Sequence, residues 1–466
     1  VTNKKRLIIV LSGLACLCQP AFSAPTVSEL VTSMTKHHPY VFALEEKAVQ
    51  ADFSLDIAQS AFDPTIEQDF GARVSGYYDG TSLAQRYVQP LSTMNAKVFT
   101  SYRISEGDFP VYEEQYQTLS GGEASVGMSF SLLRNREADK RRTGLLNAEL
   151  ERAEASAYIQ YSMNSFLSDG LYNYLAWYES AAQERALRSQ IAVIREQELA
   201  LATRVSSGDL AEVALVEFQS TLLEQTALLA KLEQKKLTSA RALSFFWRDS
   251  QGKALEFDPD FIADIDWPFS VNNIAIAELK RSLDTHPSLL SLQIKQSELE
   301  NKAALVQSEL LPMLDAKVSV SRDIGSGPLS LEGTESKVGL TFSYTLDNRK
   351  AQAEVRRNQS QLNEVELTMQ VAQERLTQEF EQAVVNWQQA TRVAALLEET
   401  ARVAGELAMV ERRRFVAGDV DMFVVNARVT KEIQARMKAI QSQVDVYRAE
   451  LALFKISAQL RQAYQV

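Results

Sequence analysis

Cysteine and histidine are the scarce residues here. The sequence holds 2 Cys in 466 residues, and both, Cys16 and Cys18, lie within the first 23 positions. That excludes a disulfide framework. The 3 His leave little material for a zinc site or for a Cys/His or Ser/His catalytic centre. No metal, cofactor or enzymatic activity is therefore expected. Proline is missing over two long stretches, between Pro110 and Pro259 and after Pro328. Pro inside a helix removes a hydrogen bond and clashes with the preceding turn, so its absence leaves room for very long helices. No long apolar run follows residues 7–18, and a mean hydropathy of −0.18 excludes a polytopic helical membrane protein. Basic excess is lacking too. With 49 Lys and Arg against 60 Asp and Glu, the formal net charge is −11, which argues against nucleic-acid partners.

What is present begins with a targeting signal. Lys4, Lys5 and Arg6 precede the apolar run from Leu7 to Cys18, too short to span a bilayer and right for a signal peptide. Ala21 and Ser23 supply the small residues wanted before a cleavage site, so residues 1–23 are expected to be removed after Ser23. A lipoprotein signal fails, because Gly13-Leu14-Ala15 and Leu17 do not give the required approach to Cys16 or Cys18. Removal takes three cations and no acid, leaving a cysteine-free, more acidic exported chain.

The strongest organisational signal is an internal duplication. His38-Pro39 recurs as His286-Pro287, and Pro64 recurs as Pro312. Val126-Gly127 recurs as Val338-Gly339, Asn135-Arg136 as Asn348-Arg349, and Gly208-Asp209 as Gly418-Asp419. The spacing between partners shortens after Pro64, which places an insertion at 79–121 in the first half. The chain is accordingly divided into residues 24–247 as a first repeat, 248–270 as a linker and 271–466 as a second repeat. Each repeat reads helix, strand, strand, long helix, turn, long helix.

The strands come from strict alternation. Ile66, Phe70, Val74 and Tyr78 alternate with Glu67, Asp69, Arg73 and Ser75; Ala124, Val126, Met128 and Phe130 with Ser125, Gly127 and Ser129. In the second half, Leu314, Ala316, Val318 and Val320 alternate with Asp315, Lys317 and Ser319; Val338, Leu340, Phe342 and Tyr344 with Gly339, Thr341 and Ser343. Each run has about the length and dyad pattern of a transmembrane strand of about 9–11 residues. An ordinary half-buried sheet explains any one of them. Four in an exported chain point to a barrel, and four cannot close one, so the pattern demands oligomerisation.

The helices complete the case. Residues 137–206 and 350–417 contain almost no breaker and would each reach roughly 100 Å at helical rise. Phe380, Val384, Trp387, Thr391, Ala394, Leu397, Ala401, Ala404 and Ala408 recur at spacings of four and three, a coiled-coil seam with small residues for close approach. A soluble coiled-coil rod accounts for that stretch equally well. The paired turns Val205-Ser206-Ser207-Gly208-Asp209 and Val416-Ala417-Gly418-Asp419 fold each long helix onto the next. Gly suits the left-handed residue after a helix end, and Asp is expected to cap the helix that follows.

Export signal, duplicated His-Pro helix, strand pair, long helix, Gly turn and return helix together resemble the TolC-type outer-membrane efflux protein family. The most specific elements are Phe415-Val416-Ala417-Gly418 leading into Val424-Val425-Asn426-Ala427, and the equivalent Arg204-Val205-Ser206-Ser207-Gly208. The resemblance implies a mainly α fold with a β-barrel part, in a homotrimer in the outer membrane. Four strands per chain would build a barrel of twelve strands in outer-membrane lipid, and long antiparallel hairpins a periplasmic α-barrel. It implies that the Gly-turn tips dock a periplasmic adaptor joined to an inner-membrane transporter. The function implied is the exit duct of a tripartite efflux or type I secretion system. Residues 248–270 would form the equatorial link.

Two departures stand out. The family often carries a gating Asp six residues after the turn Gly; here those positions are Ala214 and Val424. Glu212 and Asp421 are the nearby acidic substitutes at a pore constriction, or else solvated charges at helix starts. The second departure is the 79–121 insertion, where Val98, Thr100, Tyr102 and Ile104 alternate with Lys97, Ser101 and Arg103. It reads as an added strand or as a surface loop. A periplasmic coiled-coil adaptor is the rival for the whole chain, and the strand pairs are what it leaves unexplained. If the tips line the pore, Asp209, Glu212, Asp419 and Asp421 ring the axis and favour cations.

Overall fold

The computed structural model describes residues 24–256, 265–269 and 271–463; the expected signal segment and part of the 248–270 linker lie outside the described residues. Helix α1 (Val27–His37) opens with a capping box between Thr26 and Glu29, and α2 (Pro39–Ser60) follows directly. Four strands then form in the first half: β1 (Thr65–Ala72), β2 (Thr81–Pro90), β3 (Ala96–Glu106) and β4 (Glu123–Ser131). The long α3 (Lys140–Ser206) and α4 (Glu212–Ser244) follow. The second half gives α5 (Asn273–Ser282), α6 (Pro287–Ser308), β5 (Met313–Asp323), β6 (Thr334–Ser343), α7 (Arg349–Ala417), α8 (Met422–Ile456) and the short α9 (Leu460–Ala463). No described helix is long and apolar enough to cross a membrane.

The sheet corrects the expected four strands per chain. It holds six, all antiparallel, in the sequential order β1-β2-β3-β4-β5-β6. The extra pair, β2 and β3, comes from within 79–121. The first strand also ends earlier than its alternation implies, because the chain turns where Arg73 N–H reaches Gly80 O at 3.1 Å and Gly76 sits at φ 135°. Alternation alone read on through that turn.

Register sorts the side chains into two faces. Ile66 opposes Tyr87, Tyr87 opposes Thr100, Thr100 opposes Val126, Val126 opposes Val320 and Val318 opposes Val338. That face is predominantly apolar, and most of it is exposed. The other carries Glu67 and Arg86, Ser101 and Ser125, Ser319 and Lys337. One apolar and one polar face is the transmembrane barrel pattern, lipid outside and water within.

Two tiers of helices hang from the sheet. In the upper tier α2 packs on α3, α3 on α6 and α6 on α7; in the lower, α4 packs on α3, α3 on α8 and α8 on α7. The expected seam on α7 is the side turned to α8: Phe380, Ala394 and Ala408 are buried, while Thr391 is exposed. At mid-height a core of Leu30, Met34, Leu167, Leu171, Trp177, Phe246 and Leu451 joins α1, α3, α4 and α8. The described part of the linker seals this level. Arg248 N–H donates to Ser33 Oγ at 2.6 Å, and Trp267 Nε1 donates to Glu450 Oε2 at 2.9 Å.

Beside that core, Glu179 of α3 takes Lys235 of α4 at 3.0 Å and Arg448 of α8 at 2.6 Å. Burial pushes its carboxyl up, but the hydrogen bonds and charges of Arg448 and Lys235 outweigh it and hold it below the usual carboxylate range. A buried carboxylate with two cations specifies which helix faces meet. Among the described residues no such cation pairs with Glu450, and burial raises its carboxyl despite the indole of Trp267.

Candidate functional site

The two helix turns lie at the far end of the hairpins from the sheet, about 100 Å away at 1.5 Å rise per residue. Both end in the same way. Gly208 and Gly418 sit at φ 82° and 83°, where an L side chain would be strained. Gly208 N–H donates to Val205 O at 3.0 Å and Asp209 N–H to Arg204 O at 2.9 Å. Gly418 and Asp419 make the same pair to Phe415 O and Arg414 O at 3.1 and 2.9 Å. These are Schellman closures, which satisfy helix carbonyls that would otherwise have no partner.

The caps of the return helices differ from expectation. Neither Asp209 nor Asp419 caps. The N-cap of α4 is Ala211, which offers no side-chain acceptor, and that of α8 is Asp421, whose Oδ1 accepts Val424 N–H at 3.1 Å. The turn has three residues between the Gly and the next helix, so the capping position falls two residues past where the Asp stands. Asp421, named as a constriction residue, is thus first a helix cap. Glu212 stands in the first turn of α4, exposed.

Val205, Ser206 and Ser207 close α3, and Val416 and Ala417 close α7. Val416 is 80% exposed, with Val213 at 63% and Phe423 at 66%. The tip is therefore an apolar rim around rigid turns, a property that side-chain pattern alone did not bring out. Behind it Leu201, Phe218, Met422, Val425 and Val429 are buried, and Ala214 packs on them. The place where the family's Asp would stand is part of this cluster on α4. Sequence reading also missed the brace between hairpins: the Arg204 guanidinium lies 5.1 Å from the Phe415 ring centroid. A charged side chain on an aromatic face costs little desolvation and fixes the two turns against each other.

No group of His, Cys, Asp or Glu able to hold a metal ion occurs among the described residues. Chemically the site presents oriented apolar and acidic groups for contact and passage.

A six-stranded antiparallel sheet with one apolar face, standing on two long helical hairpins, is a fold shared with solved outer-membrane channels. The outer-membrane channel OprN has this fold, with a TM-score of 0.66 at 14% identity over 93% of this chain and 90% of that one. The Vibrio cholerae outer membrane protein VceC gives 0.64 at 12% over 93% and 96%, and the Campylobacter jejuni channel CmeC 0.61 at 12% over 93% and 85%. No curated protein matches the sequence. Residues 279–459 match the model described as outer membrane efflux protein.

Proposed function

We propose that three copies of this chain close into one continuous duct, the outer-membrane exit of a tripartite efflux or type I secretion system. The observation that supports it is that, among the described residues, every tier of the protomer ends in unpartnered edges on opposite sides. In the sheet these are β1 and β6. An open edge in lipid leaves backbone groups unpaired, and β1 and β6 run in opposite directions, so β6 of one copy can meet β1 of the next antiparallel. In the upper tier α2 exposes Phe42, Val49, Phe53 and Ile57, and in the lower tier α4 exposes Val216, Leu223 and Leu237. On the other side α7 exposes Leu367, Val371, Val385, Leu396, Val403 and Val410. These stripes at heptad-like spacing are unfinished coiled-coil seams. A ring satisfies all of them at once, and a periplasmic adaptor would have no use for the sheet.

The Gly-turn tips then form the periplasmic end. Val205 to Asp209 and Val416 to Asp419, with the exposed Val213 and Phe423, would receive a periplasmic adaptor joined to an inner-membrane transporter. Glu212 and Asp421 would stand at the narrowest part of the pore. Purification in mild detergent should give a trimer, and Gly208→Val with Gly418→Val should abolish crosslinking to the adaptor while leaving trimer and membrane insertion intact. A monomer recovered from the soluble periplasm would overturn the channel, and undiminished adaptor capture by the double variant would overturn the docking role.

A further inference from the structure

The 79–121 segment adds two strands in the middle of the sheet. We propose that the assembled channel crosses the outer membrane as a barrel of eighteen strands, with the hairpin of residues 81–106 forming part of the pore wall. This rests on the trimeric reading above and goes beyond it, because the family resemblance implies twelve strands.

The hairpin is paired on both sides. All eight residues of β1 find partners in β2, and eight residues of β3 find partners in β4. It cannot swing out of the sheet without breaking both ladders. Its faces follow those of the neighbouring strands: Leu83, Tyr87, Val98 and Ile104 fall on the apolar face, Arg86 and Arg103 on the polar one. The one amide pair on the apolar side is satisfied internally, Gln85 Nε2 donating to Gln68 Oε1 at 3.3 Å. A flap outside the membrane would need none of this alternation.

The polar face is also interlocked with the other strands. Phe99 of β3 lies directly over Gly127 of β4 and is only 7% exposed. A Cβ built at Gly127 would come within 2.5 Å of both Phe99 Cζ and Val318 O, whereas one at the duplicate Gly339 would meet nothing within 4 Å. The Arg86 guanidinium and Lys317 Nζ approach the Phe99 ring centroid at 5.5 and 5.0 Å from either side. One ring thus ties β2 and β3 to β5 across the glycine, on the face that water would fill.

The dimensions agree. At about 4.8 Å between strands and a tilt of about 40°, twelve strands give a backbone radius of about 12 Å and eighteen about 18 Å. Four helices per copy at about 9–10 Å spacing give a ring of about 17–19 Å. The wider barrel therefore continues the helical tunnel without a step, and solutes as broad as the tunnel could leave through it.

The cysteine-free mature chain allows a direct test. Single Cys variants at Arg86 and Ser101 should react with a charged, membrane-impermeant thiol reagent in the reconstituted trimer. Those at Tyr87 and Thr100, on the opposite face at the same depth, should react at least about tenfold more slowly until the lipid is dissolved, since an apolar surround suppresses the thiolate. Ser319→Cys and Val338→Cys report the same contrast in β5 and β6. Equal reactivity on both faces of the hairpin, with the contrast kept at 319 and 338, overturns the proposal alone. Loss of the contrast everywhere overturns the barrel itself. A density map of the trimer in lipid supplies the count: eighteen strands supports the proposal and twelve ends it.

Discussion

The two halves of this chain are built on one plan and differ in what has been added to it. The second half passes from β5 to β6 through a short loop, while the first inserts a hairpin between β1 and β4. A single added strand would have reversed the direction of everything after it. A pair restores the direction, so α3 still descends in the same direction as α7 and both turns still reach the same end. Paired insertion is thus the change an antiparallel meander accepts without disturbing what hangs from it. The cost appears locally, at Gly127. In the second half Gly339 is an open position in a strand; in the first the same glycine has become necessary, because Phe99 occupies the space beside it.

That contrast can be broken by substitution, and the largest effect is expected there. Gly127→Val drives a side chain into Phe99 and a backbone carbonyl, and overpacking of this kind costs about 1–3 kcal/mol. Gly339→Val places a β-branched residue in an open strand position and should be neutral or slightly favourable. Heating in SDS followed by electrophoresis gives the comparison: the Gly127 variant should lose its trimer at lower temperature than the Gly339 variant. Equal behaviour would mean that the hairpin does not pack on β4 as described.

How far the sequence reached follows from the same contrast. The long helices were legible because they lack Pro and Gly over tens of residues, and the bounds of α3 and α7 agree within a few positions. Four strands were legible because apolar and polar residues alternate without interruption. The added hairpin was only half visible. Strand β3 alternates, but β2 reads Thr-Ser-Leu-Ala-Gln-Arg-Tyr-Val-Gln-Pro, with Gln85 and Gln89 on the apolar face, and its pairing with β1 is what makes it a strand. The same holds at the tips. Gly208 and Gly418 announced the turns, because only a positive φ explains a lone Gly there. Which Asp caps the next helix depends on the exact length of the turn, which composition does not encode, and the Arg204–Phe415 brace joins residues far apart in the chain.

The tips offer a second, smaller test of the comparison. Helix α8 starts on Asp421 with a side-chain cap and α4 starts on Ala211 without one. Asp421→Ala should destabilise the first turn of α8 by about 1 kcal/mol, and Ala211→Asp should stabilise that of α4 by a similar amount. Amide hydrogen exchange at the two helix starts reads both. Asp421→Asn separates capping from charge, since Asn caps as well as Asp does. If the carboxylates face the pore, Asp421→Asn with Glu212→Gln should reduce the preference of reconstituted channels for K⁺ over Cl⁻, measured as a reversal potential in a salt gradient. An unchanged potential would place both groups outside the pore.

The smallest expected effect concerns the feature that first revealed the duplication. His38 and His286 are N-caps, and each accepts a backbone N–H on Nδ1, from Tyr40 at 3.1 Å and from Ser288 at 3.2 Å. Only the neutral ring has such an acceptor. Burial lowers both imidazoles below their ordinary value. At His38 the hydrogen bond to Phe245 O opposes this and the nearby Arg248 reinforces it, while at His286 Glu379 opposes it. The folded chain therefore binds fewer protons than the unfolded one once the pH falls below about 6.5, the ordinary histidine value. The stabilisation is complete above that pH and is lost progressively below it, toward the lower folded values. Acid should thus loosen the starts of α2 and α6 together, and His38→Asn and His286→Asn should each remove part of that dependence, because Asn keeps an acceptor that does not titrate. Thermal unfolding followed between pH 7.5 and pH 5, values chosen to bracket about 6.5, gives the slope for each variant. A slope unchanged in the double variant would mean that the acid sensitivity of the fold arises at other groups, and that the two His-Pro caps matter for geometry alone.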